Sequence, residues 1–362
     1  MGSQVVELLA ELVAINSVNA SMLNGPGEAA LSDFLTRYGR DLGAEVRADE
    51  VLPGRANVSL RLPATAPLGP PRRLLYDVHQ DTVPVEGMTD PFTPRIEGGR
   101  MWGRGTCDTK GSLAATLVAL RRLAASGAPR RHEVTLLCTV DEEYRKRGIM
   151  HAVAGGLSAD AAIVGEPTNL RPVVAHKGAL RWRLITHGRA AHTSRPENGN
   201  NAIYQMVEVI DYLRERLEPV LAGVRHPLLS PPTLTVGRIE GGVGVNIVPE
   251  RCTIEIDRRS LPTEDLDAIL AEQGLDTPAD AAVVTALQGA CRAVLGPDAA
   301  VAPEGVPYGT DATHLGGIPS VVFGPGDIAQ AHTADEWVDL AQVDAAAEIL
   351  THLTRGFTAG EW

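Results

Sequence analysis

The apolar run VTLLCTV at residues 134–140 leads directly into three acidic residues, DEE, at 141–143. An uninterrupted apolar run of this length is typical of a strand that is covered on both faces, as in a parallel sheet. The preceding GSLAATLVALRRLAAS, residues 111–126, has the length and pattern of a helix, while LLYDV (74–78) and AAIV (161–164) are further short apolar runs. Strand and helix patterns that alternate along a chain predict an α/β fold with a largely parallel sheet.

The pattern changes near residue 177, where LRWRLIT at 180–186 alternates apolar and polar residues as a half-buried strand does. The block continues with an amphipathic helix, two strands and a short helix, predicted over residues 201–217, 233–239, 252–256 and 263–272. The α/β pattern then resumes with a helix, a strand and a helix, predicted over 281–295, 319–323 and 340–355. We therefore expect a main domain, residues 1–176 and 274–362, interrupted by a small α+β domain at 177–273.

The composition is that of an acidic globular protein and excludes several functional classes. The 362 residues include 33 Lys and Arg against 45 Asp and Glu, which gives a net charge of −12. An acidic chain does not build the broad basic surface that binds nucleic acid or anionic membranes. No apolar stretch reaches the roughly 20 residues of a transmembrane helix, and the N-terminus has the pattern of an amphipathic helix rather than a signal peptide. The cysteines form no CxxC pair, which favours a reducing cytoplasm; they are Cys107, Cys138, Cys252 and Cys291.

Histidine and carboxylate side chains stand just beyond the predicted strands. In open α/β sheets, ligands bind in the crevice at the carboxyl ends of the strands, so residues far apart in sequence can meet there. Asp108 belongs to this group through the turn-like segment GRGTCDTKG, which precedes a helix. The full set is His79, Asp81, Asp108, Glu142, Glu143, Glu166 and His332.

These residue types can hold two divalent ions. Zinc accepts imidazole nitrogen and carboxylate oxygen and leaves a position open for water. Two metals about 3.5–4 Å apart can hold a bridging hydroxide and polarise a carbonyl. Because successive side chains diverge, one of Glu142 and Glu143 can face the metals while the other acts as general base. In an extended backbone, residues i and i+2 point the same way, so His79 can bind a metal while Asp81 holds its other ring nitrogen.

A resemblance to a known family rests on the order of these motifs along the chain. HQDTVPVEGMTDPFTPRIEGGRMWGRGTCDTKG, residues 79–111, resembles the first signature of the di-zinc family of acetylornithine deacetylase, succinyl-diaminopimelate desuccinylase, aminoacylase and glutamate carboxypeptidase. The likeness continues through DEE, VGEPT, GRAAHTSRPENGNNAI, NIVPERCTIEIDRR, YGTDA and FGPGDIAQAH, over nearly the whole chain. It implies a three-layer, mostly parallel catalytic domain with an inserted ferredoxin-like lid and dimerisation domain.

The resemblance also implies a role for each residue at the strand ends. His79 and Glu166 look like ligands of one metal, and Glu143 and His332 like ligands of the other. Asp108 resembles the bridging carboxylate, and the peptide bond that follows it is expected to be cis. Asp81 corresponds to the residue that orients the first histidine, and Glu142 to the general base.

In the inserted domain, the resemblance assigns residues to the substrate. His192 matches a histidine that stabilises the oxyanion, and Asn246 and Arg258 match residues that hold the substrate carboxylate. For Arg258 and His192, an ordinary surface role is the alternative. After the main domain resumes, Gly309, Thr310 and Asp311 match a substrate-contacting loop of the family, and the neighbouring Tyr308 is expected to line the pocket. The last strand of the inserted domain is missing from the pattern, which predicts a shortened lid with a three-stranded sheet.

The expected function is metal-dependent hydrolysis of an N-acyl amino acid. A hydroxide that bridges the two metals would attack the acyl carbonyl, with Glu142 taking the water proton. YGTDA and FGPGDIAQAH are most similar to the acetylornithine deacetylase branch, which implies arginine biosynthesis. Zn2+ is the expected metal, with Co2+ and Mn2+ as alternatives, in a cytoplasmic homodimer formed through the lid. The alternative functions are a desuccinylase, a dipeptidase, a carboxypeptidase, a deacylase of a carrier-bound amino acid, or a non-catalytic binding protein.

Overall fold

The structure, a computed structural model, describes residues 3–23, 25–264 and 272–362 and divides into two compact units. The first unit comprises Met1–Val174, Thr277–Glu304 and Thr310–Trp362. The second comprises Ala175–Asp276 and Gly305–Gly309. The bounds differ by two or three residues from those expected from the sequence, and the short segment Gly305–Gly309 joins the second unit.

The helices follow the apolar periodicity of the sequence closely. The predicted helix over 201–217 ends as an α-helix at Tyr212 and continues as a π-helical turn, Leu213–Leu217, before α6. The predicted helix over 263–272 falls mostly on residues 265–271, which lie outside the described residues. The helices are α1 (Gln4–Val13), α2 (Ala29–Asp41), α3 (Lys110–Ala125), α4 (Arg147–Ala154), α5 (Ala202–Tyr212), α6 (Glu218–Leu221), α7 (Ala282–Leu295) and α8 (Leu340–Ala359).

The strands include all those predicted and several short or polar ones that the pattern did not show. They are β1 (Glu45–Leu52), β2 (Arg55–Leu62), β3 (Arg73–His79), β4 (Arg95–Glu97), β5 (Arg100–Trp102), β6 (Glu133–Thr139), β7 (Ala161–Val164), β8 (Val173–His176), β9 (Gly178–His187), β10 (Thr233–Gly241), β11 (Arg251–Ser260), β12 (Leu275–Asp276), β13 (Glu304–Val306), β14 (Ser320–Val322) and β15 (Trp337–Asp339).

The first unit is built on a mixed sheet with a parallel centre. Strands β6, β3, β7 and β14 lie side by side in parallel. The antiparallel hairpin β1–β2 extends the sheet beyond β6, and β8 begins antiparallel to β14 at Val173. The predicted α/β fold with a largely parallel sheet is confirmed, and the antiparallel strands are additions at its edges. A separate small antiparallel sheet has the order β15-β5-β4.

The core of the first unit lies between the parallel strands and the helices α1, α2, α3, α7 and α8. Helix α3 is buried along most of its length because its sequence is apolar or small on every side, as expected for a central helix. Strands β3 and β6 are likewise buried on both faces. Leu12, Leu60, Leu117, Leu136 and Phe357 are fully buried members of this core. The carboxyl ends of the four parallel strands therefore sit on a rigid support.

The second unit contains an antiparallel sheet of order β10-β11-β9, packed on one side by α5 and α6. Its core includes Met206, Ile254 and Ile256, and burial alternates along β9 as it does in a half-buried strand. The other face of the sheet carries ion pairs such as Arg183–Glu255. The described part of this unit has the three-stranded sheet that the shortened sequence predicts. Among residues 3–23, 25–264 and 272–362, no helix combines the length and apolar character that crossing a bilayer requires.

Candidate functional site

The parallel strands bring the predicted ligands together at one edge of the first unit. His79 is the last residue of β3, Glu143 follows β6, and Glu166 follows β7. Asp108 lies just before α3, and His332 lies in the segment after β14. His79, Asp108 and Glu166 are buried, whereas His332 is exposed. Since the strands run in the same direction, their carboxyl ends converge on a common crevice.

Asp108 lies between the two histidines. His79 Nε2 is 3.1 Å from Asp108 Oδ1, and His332 Nε2 is 3.2 Å from Asp108 Oδ2. His332 Nε2 also lies 3.0 Å from Glu143 Oε2, and His79 Nε2 lies 3.8 Å from Glu166 Oε1. A carboxylate with one oxygen toward each imidazole could bridge two neighbouring metal ions.

Two overlapping groups of side chains lie close enough together that each could hold a metal ion. His79, Asp108 and Glu143 form one group, and His79, Glu142 and Glu166 form the other. Within each group, one potential ligand atom per residue lies within 4.8 Å of the others. Nitrogen and oxygen donors of this kind suit Zn2+, and imidazole with carboxylate also suits related divalent ions.

The electrostatics of this cluster favour positive charge between the carboxylates. Burial, together with the negative charge of Asp108, raises the pKa of Glu143 to about 8. Burial and Asp108 also hold the pKa of Glu166 well above its usual range. Burial opposes ionisation of Asp108, yet hydrogen bonds from His332 and His79 hold its pKa well below the usual range. The hydrogen bonds to Asp108 and Glu143 raise the pKa of His332 to about 11. Buried carboxylates this close require protons or cations, so the donor set fits a pair of divalent ions.

Asp81 contacts this cluster differently from the sequence prediction. His79 Nδ1 lies 2.9 Å from the main-chain carbonyl oxygen of Asp81 but 3.7 Å from its carboxylate, too far for a hydrogen bond. The prediction that the Asp81 carboxylate holds the ring is therefore wrong in this structure. The prediction fails because β3 ends at His79, so the side chains of His79 and Asp81 no longer point the same way as they would in an extended strand. The carbonyl still orients the imidazole, with Nε2 toward Asp108.

The Asp81 carboxylate instead binds the main chain of the segment after β6. Its Oδ1 accepts the N–H of Glu142 at 3.0 Å, and its Oδ2 accepts the N–H of Glu143 at 3.1 Å. Oδ2 also accepts the Asn19 amide at 2.7 Å. One buried carboxylate thus positions both glutamates relative to the strand that carries His79. Lys146 Nζ lies 2.8 Å from Glu142 Oε1, which adds an ion pair to the same segment.

A buried network around Asp141, which the sequence analysis missed, supports this segment from behind. Asp141 has a φ of 69° and is fully buried. Its carboxylate lies 2.6 Å from Arg147 and 3.2 Å from Arg55, and Arg55 in turn lies 2.5 Å from Glu28. Asn19 also donates to Asp141 at 3.2 Å. The sequence signal for this network was limited to charged residues in two segments that look like surface loops, RADEVLPGRAN (47–57) and DEEYRKRG (141–148).

Glu336 is a second residue that sequence reasoning missed. Its carboxylate accepts the N–H groups of Cys107 at 2.9 Å, Asp108 at 3.1 Å and Gly105 at 3.0 Å. Arg104 donates to it at 2.6 Å. The Asp108–Thr109 peptide bond is cis, as expected. Glu336 therefore holds the segment that presents Asp108, and an acidic residue beside the apolar strand WVD was its only sequence signal.

Two further buried carboxyl groups lie next to the cluster. The Thr139 hydroxyl lies 3.0 Å from Asp311 Oδ2 and 3.4 Å from Asp77 Oδ1. Burial raises the pKa of Asp77 to about 7 and holds the pKa of Asp311 well above its usual range. The predicted loop residue Thr310 is buried, and its hydroxyl accepts the N–H of Ala312 in the turn before Asp311. Thr310 thus shapes this turn.

The remaining predicted site residues belong to the second unit. His192 Nδ1 accepts the N–H of Ser194 at 3.1 Å, so Nε2 carries the proton of a neutral ring. Thr193 N–H donates to the Asn246 carbonyl at 3.2 Å, so the segments that carry His192 and Asn246 run side by side. Both side chains are exposed. Tyr308 and Gly309 lie in the short segment of this unit, Gly305–Gly309.

Arg258, on β11, is engaged in an ion pair with Glu264. The second carboxylate oxygen of Glu264 accepts the N–H of Leu261 at 2.6 Å, which fixes the pair in the turn after the strand. Arg258 Nε is buried and has no hydrogen-bond partner within the part of the chain that the structure describes. A substrate carboxylate at this guanidinium would compete with Glu264.

Comparisons with known proteins identify the family to which this chain is similar. The sequence profile of peptidase family M20/M25/M40 matches residues 75–356. An acetylornithine deacetylase of Proteus mirabilis is 31% identical over 389 aligned positions, which cover 98% of this chain and 97% of that protein.

Solved structures show the same fold. A tripeptidase from Staphylococcus aureus superposes with a TM-score of 0.80 at 22% identity, covering 98% of each chain. A dinuclear metal-binding peptidase of the M20 family from Bacillus subtilis superposes with a TM-score of 0.69 at 13% identity, again over 98% of each chain.

Proposed function

The chain belongs to peptidase family M20/M25/M40 and is a hydrolase of that family, and on this premise we propose that it cleaves the amide bond of an N-acyl amino acid. The observation that carries the proposal is Asp108, which faces His79 and His332 with its two oxygens while Glu142 lies beside the cluster. The acetylornithine deacetylase from Proteus mirabilis, similar over nearly its full length, supports acetylornithine or a close relative as substrate.

Five side chains of the first unit would hold two divalent ions. His79 and Glu166 would bind one, Glu143 and His332 the other, and Asp108 both. When bound, the ions supply Lewis acidity that polarises the acyl carbonyl and acidifies a water molecule. Zn2+ suits the mixed nitrogen and oxygen donors, with Co2+ and Mn2+ as alternatives.

The protein's own groups would carry the proton and stabilise charge. Glu142, held by the Asp81 carboxylate through its N–H, would accept the proton of the attacking water and pass it to the leaving amine. His192, with its Nε2–H available as a donor, would stabilise the oxyanion. Arg258 and Asn246 would hold the substrate carboxylate, because a guanidinium binds carboxylate through two parallel hydrogen bonds.

A dimer formed through the second unit is part of the proposal. Helix α5 exposes Tyr204, Val207 and Tyr212, and a second copy of the helix would cover these apolar side chains. The four cysteines are free and buried, which suits a reducing cytoplasm. Light scattering on the purified protein would give the mass of one chain if this assembly does not form.

A substrate panel tests the activity directly. The purified protein, with added Zn2+ or Co2+, is assayed on acetylornithine, acetylcitrulline, acyl-lysines, succinyl-diaminopimelate and dipeptides, and on an acylated amino acid attached to a carrier protein. We expect the highest kcat/KM on an acetylated basic or neutral amino acid and no turnover after chelation. A higher kcat/KM for dipeptides or for the succinyl substrate would instead identify the protein as a dipeptidase or a desuccinylase of the same family. Absence of hydrolysis across the panel would contradict the proposed function.

A further inference from the structure

Glu142 lies where it could serve either as a base or as a metal ligand. Its carboxylate offers an oxygen within 4.8 Å of ligand atoms on His79 and Glu166. Glu142 is as buried as Glu166, and the two carboxylates are chemically equivalent donors. Distance and chemistry therefore do not explain why one glutamate would bind a metal while its neighbour in space remains a base.

Lys146 distinguishes the two glutamates. Its ammonium lies 2.8 Å from Glu142 Oε1, with 12% of the Lys146 side chain and 9% of the Glu142 side chain exposed. The contact depends on a tight turn: Lys146 has a φ of 52°, and its N–H donates to the Asp141 carbonyl at 2.7 Å. A residue with a side chain rarely adopts this left-handed conformation, so the ion pair is part of a specifically shaped segment.

We propose that Lys146 assigns Glu142 to the role of base by keeping its carboxylate away from the metals. An oxygen that accepts an ammonium hydrogen bond has less electron density for a metal, and a divalent ion at that oxygen would lie next to a like charge. The other oxygen stays available to a water proton. Lys146 is thus a positioning residue, and this inference rests on the role of Glu142 in the proposed function.

The test is the Lys146→Met variant, with Arg145→Met as its matched control. Arg145 is the adjacent cation, but its guanidinium stacks on the Tyr144 ring at 5.2 Å. Zn2+ binding to chelator-stripped protein is measured by competition with a chromophoric chelator, which requires no substrate. In Lys146→Met, Glu142 becomes free to coordinate, so we expect Zn2+ affinity to rise by about 10-fold or more. The visible spectrum of the Co2+-loaded variant should shift toward higher coordination number, while Arg145→Met should match the wild type.

Kinetics provide the second readout. Lys146→Met should lower kcat by about 10- to 100-fold with little change in KM, because the base is lost to the metal while substrate contacts remain. Lys146→Arg, which preserves the cation, should retain most of kcat and the wild-type Zn2+ affinity.

Zn2+ affinity that is unchanged or weaker in Lys146→Met would overturn the proposal, whatever happens to kcat. So would wild-type kcat in that variant. If Lys146→Met fails to fold, as judged by thermal unfolding, Lys146→Gln is measured in the same way and decides the question. If the wild type hydrolyses none of the substrates, the proposed function is contradicted. The Zn2+ affinities of the wild type and Lys146→Met would still test whether Lys146 keeps Glu142 from the metals.

Discussion

The ligand cluster of the first unit and the candidate substrate residues of the second unit differ in how firmly they are held. In the first unit, His79, Asp108 and Glu166 are buried, and carboxylates of other residues fix the main chain that carries Asp108 and Glu143. In the second unit, His192 and Asn246 are exposed, whereas Arg258 is held in an ion pair with Glu264. Burying charge is tolerated only with complete partners, so a buried site must be built in advance, whereas an exposed one need not be.

On the proposed function, this difference separates the residues that carry out the chemistry from those that recognise the substrate. Groups that move protons and hold metals require positions accurate to a fraction of an ångström, and a supporting network supplies that accuracy. Groups that only bind the substrate can reach their final positions when the substrate binds. Substitutions in the first unit should therefore lower kcat or metal binding, and those in the second unit should leave metal binding intact.

The largest effect is expected for Glu142→Gln. An amide cannot accept the water proton, so kcat should fall by about 10²–10⁴-fold, the range for loss of a general base. Two equivalents of metal should still bind, as measured by elemental analysis. The matched control is Glu240→Gln, an exposed glutamate of the second unit. Wild-type turnover in Glu142→Gln would contradict the assigned base.

A smaller effect is expected for His192→Ala. Loss of one donor to an oxyanion lowers kcat by about 10²–10³-fold in other enzymes, so an effect of that order or below is expected here. Metal content and thermal stability should match the wild type because the side chain is exposed. His187→Ala, which removes another exposed histidine of the same unit, is the control. Loss of metal in His192→Ala would contradict the expectation that metal binding depends on the first unit alone.

The smallest effect is a pH dependence of thermal stability in the chelator-stripped protein. Folding raises the pKa of Glu143 to about 8, chiefly by burial, and that of His332 to about 11, through its hydrogen bonds to Asp108 and Glu143. A raised pKa stabilises the fold below the unfolded-state pKa, and this contribution is lost as the pH rises toward the folded value. Stability without metal should therefore decrease between about pH 4.5 and pH 8 through Glu143 and between about pH 6.5 and pH 11 through His332.

Metal binding should reverse that trend. A divalent ion takes the place of the protons on Glu143 and His332, so the difference in Tm between loaded and stripped protein should widen as the pH rises. Scanning calorimetry with and without Zn2+ at several pH values measures it. A constant difference across the range would show that these two groups do not exchange protons for metal.

The sequence predicted the fold class and the groups at the strand ends because both rest on local patterns. A buried parallel strand is recognisable from its continuous apolar run, as in VTLLCTV. Strand β1 was not predicted because its sequence, EVRADEVL, is rich in charged residues and none of its side chains is fully buried. The Asp81 prediction failed because it assumed that the strand continues past His79.

The supporting residues could not be predicted in the same way. Glu336 binds the main chain of residues that lie more than 225 positions away in the sequence, and Asp81 binds main-chain groups more than 60 positions away. Nearly every residue type carries a main-chain N–H, so the sequence does not indicate which of these groups a distant carboxylate will bind. Lys146 approaches Glu142 through a left-handed turn that the run DEEYRKRG does not specify.

Residue types and strand periodicity were enough to indicate an α/β fold in which two histidines and several carboxylates could hold metals, and the resemblance of the motifs to a known family indicated a hydrolase. The order of the strands in the sheet could not be predicted from these patterns. It places β3 between β6 and β7, so that His79 meets residues that follow both neighbouring strands. The partners of Glu142 and Glu143 could not be predicted either: the Asp81 carboxylate binds both main-chain N–H groups, and Lys146 pairs with Glu142. The physical reason is range: helix and strand patterns arise from contacts within a few residues, whereas a buried carboxylate is positioned by partners that only the packed sheet brings near.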